Sequence, residues 1–195
     1  MNNKLISKIY KLKTNSRGFT LMEIMVSVSL FVVIMLLTGS IFSLAQKSYN
    51  KSSDLAELTQ NSRVCIDRLS RELRQSIYVI TELQSTEEES TSEIFFQDGH
   101  DISQITYLRY YLYNNELIRE HKAYFFADSP LIYVAHNSVD QDNNPPQEII
   151  LENYTVGEYF NQLKFWGSNG LINISLKLIK NSNVFAIKTS VFTRN

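Results

Sequence analysis

Ser16-Arg17-Gly18-Phe19-Thr20-Leu21-Met22-Glu23 runs directly into Ile24 to Ala45, IMVSVSLFVVIMLLTGSIFSLA, a stretch without one charged residue. Its 22 residues make roughly 33 Å of helix at about 1.5 Å per residue, enough to cross a hydrocarbon core of about 30 Å. Lys4, Lys8, Lys11, Lys13 and Arg17 all precede the apolar run, and no acid accompanies them. A positive flank of this kind holds the N-terminus in the cytoplasm and sends the rest of the chain across the membrane. The expected location is therefore the cytoplasmic membrane, crossed once, with the bulk of the protein outside it. A secretory signal peptide is the competing reading, because Ser43-Leu44-Ala45 fits small-x-small cleavage before Gln46. Two features oppose it. The apolar run exceeds the usual 7 to 15 residues of a signal core, and Glu23 stands just before it, where an unpaired carboxylate costs about 2 to 3 kcal/mol.

The basic leader, Gly18, the Phe19-Thr20-Leu21-Met22-Glu23 block and the long apolar helix together resemble the processing site of type IV prepilins and pseudopilins. The resemblance implies that a membrane-embedded prepilin peptidase cuts after Gly18 and methylates the new amino terminus at Phe19. It further implies that Glu23 meets the amine of a neighbouring subunit during assembly, each charge offsetting part of the other's desolvation. Many pilins of this family carry a proline midway along the helix. Here Thr38-Gly39-Ser40 stands in that region, so a proline-induced break is not expected.

Beyond Gln46, Leu55, Leu58, Ser62, Ile66, Leu69, Leu73, Ile77 and Ile80 recur at steps of three and four, one apolar stripe with Ser62 its weak point. Arg63, Asp67, Arg68, Arg71, Glu72 and Arg74 are expected on the other faces, where pairs such as Asp67 with Arg71 can form. The divisions expected are a leader at 1–18, a transmembrane helix at 19–45, an amphipathic helix at 46–80 and a β-rich head at 81–195. Ser85 to Glu93 is polar and acidic and reads as a loop or mobile segment. After it come aromatic-rich strands: 93–97, 105–113, 116–122, 131–135, 148–151, 159–166, 171–179 and 184–192. Asn114-Asn115 and Asn181-Ser182-Asn183 serve as hairpin turns. One long helix followed by strands gives an α+β class, the helix packed on an antiparallel β-sheet head.

Tyr110-Tyr111-Leu112-Tyr113-Asn114-Asn115-Glu116-Leu117-Ile118-Arg119 is similar to a Tyr-x-Leu-turn-Leu-x-Arg hairpin of the GspJ/PilW group of minor pseudopilins and minor pilins. The segment Ile66 to Ser76 and the ending Thr189 to Asn195 resemble the same group.

Little in the sequence suggests chemistry. The 195 residues hold 19 basic and 20 acidic side chains, and without the leader the balance is 14 to 20, a net charge of −6. An acidic chain does not indicate DNA as a partner, although a local basic patch stays open. The lone Cys65 excludes an intramolecular disulfide and a thiolate metal cage, and reads as a small buried apolar residue. Asp140-Gln141-Asp142-Asn143-Asn144 alternates oxygen ligands as a calcium loop does, but Pro145 occupies the place of the turn glycine and Leu151 that of the bidentate acid. His100, His121 and His136 lie far apart, and no acid pair or nucleophile context is present, so neither enzyme activity, a cofactor nor a metal site is expected. Two functional readings remain open. In the first, the chain is a minor pilin or pseudopilin that initiates or caps a pilus-like or secretion filament, with the prepilin peptidase and other pilins as partners. In the second, it is a membrane-tethered or filament-tip module whose aromatic head binds a ligand, a surface or DNA; exposed aromatics interleaved with Lys and Arg would favour it.

Overall fold

A computed structural model describes residues 18–101 and 103–194. The leader residues before Gly18 lie outside the described residues. The chain divides into two compact units, Met1–Tyr49 and Asn50–Asn195.

The first unit holds the whole apolar run. The helix α1 (Leu21–Gln75) starts here and passes through Thr38-Gly39-Ser40 without interruption. Every residue from 18 to 53 is exposed, so this stretch presents apolar side chains on all faces, as a membrane-inserted helix does. Four of the hydroxyls embedded in it are satisfied within the helix. Ser27, Ser29, Thr38 and Ser40 each donate to the carbonyl four residues back, at 2.7 to 2.9 Å. Such back-bonding removes the cost of an unpaired hydroxyl in lipid.

The second unit begins with the amphipathic half of α1. Leu58, Ser62, Cys65, Ile66, Leu69 and Leu73 are buried, and Ser62, the weak point of the stripe, donates to the Thr59 carbonyl at 2.8 Å. The helix ends at Gln75, five residues before the expected boundary. Ile77 donates its N–H to the Gln97 carbonyl instead, and Tyr78–Val79 forms a strand, β1. The run Ile77-Tyr78-Val79-Ile80-Thr81 is β-branched and aromatic, so once a neighbouring strand offers its edge the extended form wins over another helical turn. Ile77 is consequently exposed rather than part of the stripe.

The strands form two antiparallel sheets rather than one. In the larger, β1 pairs with β2 (Ile94–Gln97), β2 with β3 (Thr106–Tyr113), and β3 with β4 (Glu116–Phe126). The far end of β4 pairs with β5 (Ser129–Val134), and its other edge with β6 (Gln147–Gly157). The smaller sheet is a meander of β7 (Phe160–Ser168), β8 (Leu171–Lys180) and β9 (Asn183–Phe192). Asn114 and Asn115, at φ of 49° and 64°, make the β3–β4 turn, and Asn181 at 53° opens the β8–β9 turn. Positive φ at both central residues matches the twist of a two-residue hairpin.

Both sheets contribute to one core against α1, joining Leu58, Leu69 and Leu73 to Phe96, Leu108, Phe160, Phe165, Ile174 and Leu176. Gly157 makes this contact close. A Cβ there would lie 2.6 Å from the Cys65 sulfur and 3.0 Å from the Phe160 ring. Ser85 to Glu93 is tethered to the smaller sheet: Thr91 and Phe165 exchange backbone hydrogen bonds at 2.9 and 3.0 Å, and Lys188 pairs with Glu87 at 2.6 Å.

Candidate functional sites

Gly18, Phe19 and Thr20 form a short non-helical lead-in to α1. Among the described residues a Cβ at Gly18 would meet nothing within 4 Å, and Phe19 is 79% exposed. Thr20 caps the helix: its hydroxyl accepts from the Glu23 N–H at 3.2 Å, and its carbonyl accepts from the Ile24 N–H at the same distance. Thr20-Leu21-Met22-Glu23 thus has the T-x-x-E spacing of a capping box, a signal legible in the sequence that the expected roles for these residues do not use. Glu23 lies in the first helical turn, where the helix dipole favours a carboxylate.

A second constellation, inside the β-rich unit, was only partly visible in the sequence. Glu72 is not on an outer face of α1 but buried, its side chain 7% exposed. It accepts from the Tyr110 hydroxyl at 2.6 Å, from Arg119 Nε at 3.1 Å and from Arg68 Nε at 3.2 Å. Arg119, itself only 8% exposed, also donates to Glu152 at 3.1 Å. Arg68 donates to the Tyr154 hydroxyl, and the guanidinium carbons of Arg68 and Arg119 lie 5.0 and 5.5 Å from the Tyr154 ring centroid. One carboxylate therefore ties α1 to β3 and β4, and the two arginines it holds reach β6 through Tyr154 and Glu152. Burial opposes the charge on Arg119, but Glu72 beside it raises its pKa overall. Burial, reinforced by the Glu72 carboxylate, pushes the Tyr110 hydroxyl well above its ordinary range, so it remains a donor. His121, next along β4 from this cluster, is held below its ordinary pKa by burial and by Arg119, and its Nε2 is buried without a hydrogen-bond partner.

The hairpin and helix segments that carry the GspJ/PilW resemblance supply Arg68, Glu72, Tyr110 and Arg119. The geometry explains their chemistry as a buried structural network.

Other sequence candidates come apart in space or turn inward. Asp140 is occupied by its own loop, accepting from the Asp142 N–H at 2.9 Å and the Asn144 N–H at 2.7 Å. Among the described residues no group of three His, Cys, Asp or Glu side chains is placed to hold a metal ion. Cys65 is buried, and that burial pushes its thiol up to about 12, leaving it an inert packing residue. Four basic side chains of the head lie over its own rings: Arg109 over Tyr111, Lys122 over Phe95, Lys180 over Tyr159 and Lys188 over Trp166. Cations already seated on the head's own rings do not form the open stacking platform that single-stranded nucleic acid uses.

A family model described as the prokaryotic N-terminal methylation motif matches residues 13–39. The match takes in Gly18, Phe19, Glu23 and the first part of the apolar helix, and it supports a pilin- or pseudopilin-like, membrane-anchored structural subunit that a prepilin peptidase processes. No curated protein and no solved structure matches the chain.

Proposed function

We propose that this chain is a minor pilin or pseudopilin: a subunit cut after Gly18, methylated on Phe19, and inserted by its apolar helix into a pilus-like or type II secretion filament that it helps to initiate or cap. The observation that carries the reading is the matched N-terminal motif leading into a helix that is exposed from residue 21 to residue 53. An apolar helix end this long needs either lipid or other helices around it.

Glu23 serves assembly in this reading. It sits in the first turn, close to where processing would create an amine, and pairing with the amine of an adjacent subunit would neutralise both charges. Glu23→Leu should leave cleavage after Gly18 intact, because the scissile bond is unchanged, and should lower association with filament partners by about tenfold or more. The added apolarity brings no compensation, since lipid tails already satisfy leucine. Crosslinking of processed protein to co-expressed prepilin-like chains, at matched abundance, measures the effect. Unchanged association would remove the assembly role of Glu23.

A further inference from the structure

Two long strand edges of the β-rich unit have no backbone partner among the described residues. β6 uses one edge to pair with β4, and β9 uses one edge to pair with β8; the opposite edge of each is open. The outer edge of β7, by contrast, is covered by the Thr91–Phe165 bridge and by the Gly167 N–H bond to the Gln84 carbonyl. The edges of β6 and β9 are also apolar. Ile149, Ile150 and Leu151 are exposed in succession on β6, Ile150 by 52%, and Val184 and Phe192 are exposed on β9, Phe192 by 69%. A long edge of this kind is a template for another strand, and charges pointing outward are the usual defence. On β6 that defence is weakened, because Glu148 and Glu152 are drawn to Lys122 and Arg119.

Charge selects the partner. β6 itself holds Glu148 and Glu152 and no Lys or Arg, whereas β9 holds Lys188 and no acid, and Lys188 stays 59% exposed beside its partner Glu87. Two β6 strands brought together would set acid against acid, and two β9 strands base against base; either is unfavourable across a strand pair. A β6 edge meeting a β9 edge joins opposite charges. We propose that β6 of one copy pairs edge to edge with β9 of a second copy of this chain. The strands match in length, 11 and 10 residues, so their open backbone groups can pair along most of both edges, with side chains of the two strands meeting laterally. Because the two edges differ, every open assembly keeps one β6 and one β9 free at its two ends, and the contact repeats head to tail. Tethering in one membrane raises the effective concentration for such a contact. The proposal goes beyond the assembly reading and does not rest on it, since it uses strands of the β-rich unit alone.

The test uses the full chain in membranes of a host that has no other prepilin-like protein. Single cysteines are introduced at Ile149, Leu151 or Asn153 of one tagged copy and at Val184, Ala186 or Phe192 of a differently tagged copy, and mild oxidation follows. Cys65 is buried and stays out of the reaction. The expected result is a mixed β6–β9 disulfide for at least one combination. Ile150→Lys should lower its yield by about threefold or more and Ile150→Glu by less, since only the lysine meets like charge. Mixed crosslinks absent from every combination, predominant β6–β6 crosslinks, or equal losses for the two Ile150 variants would overturn the proposal.

Discussion

Glu72→Leu should be among the most damaging single substitutions in the β-rich unit. The carboxylate is the common acceptor for Tyr110, Arg119 and Arg68, and its removal leaves the buried Arg119 with Glu152 alone, a residue about half exposed. Removing one partner of a buried ion pair costs about 3 to 5 kcal/mol, because the remaining charge stays desolvated. At about 2 to 4 °C per kcal/mol for a unit of this size, the thermal midpoint should fall by about 6 to 20 °C. Glu72→Leu combined with Arg119→Met should lose much less than the sum of the two single changes, since the second removes the charge that the first strands. Urea unfolding of the processed chain in detergent, followed by fluorescence of Trp166, the only tryptophan, gives the free-energy loss of each variant, and a thermal scan of the same samples gives the midpoint. A loss under about 1 kcal/mol for Glu72→Leu, or strict additivity in the double variant, would refute the view that this network locks α1 to the larger sheet.

The same cluster predicts a pH dependence. The folded state lowers the pKa of His121 below its ordinary 6.5, so the stability it contributes is complete above that value and is lost as pH falls through the folded pKa. The urea midpoint of the wild type should therefore fall more steeply between pH 7.5 and 5 than that of His121→Gln; parallel curves would contradict it. Gly157→Ala should destabilise by about 1 to 3 kcal/mol through overlap with the Cys65 sulfur and Phe160, and Gly157→Ala with Cys65→Ala should recover part of that loss in the same unfolding assay.

How far the sequence discloses these features depends on the range of the interaction. Apolar periodicity and length are local, and they disclose α1, its apolar first half and its buried stripe. The Asn114-Asn115 turn is likewise local, because two adjacent residues suffice for positive φ. The end of α1 is not: Ile77 leaves the helix because β2 offers a carbonyl 20 residues downstream, which no helical repeat reveals. β6 runs to Gly157, well past the expected Leu151, because its polar residues Asn153 and Thr155 lie on an exposed edge strand where the alternation of a half-buried strand is weak. The division into two sheets depends on which strands meet, and consecutive hairpins do not encode that. Glu72 shows the same limit most sharply, since a glutamate among arginines on a helix reads as surface until Tyr110 and Arg119 arrive from strands about 40 residues away. At the N-terminus the situation reverses: the methylation motif matched at residues 13–39 is legible from adjacent residues, since a short stretch of chain carries all of it.

Intact mass and N-terminal sequencing of the chain co-expressed with a prepilin peptidase test the central claim most directly. The account predicts loss of residues 1–18 and a new terminus at Phe19 that carries one added methyl group. A product beginning at Gln46 and released from the membrane would contradict it, because the apolar helix would then be a removed signal and no anchor or assembly helix would remain.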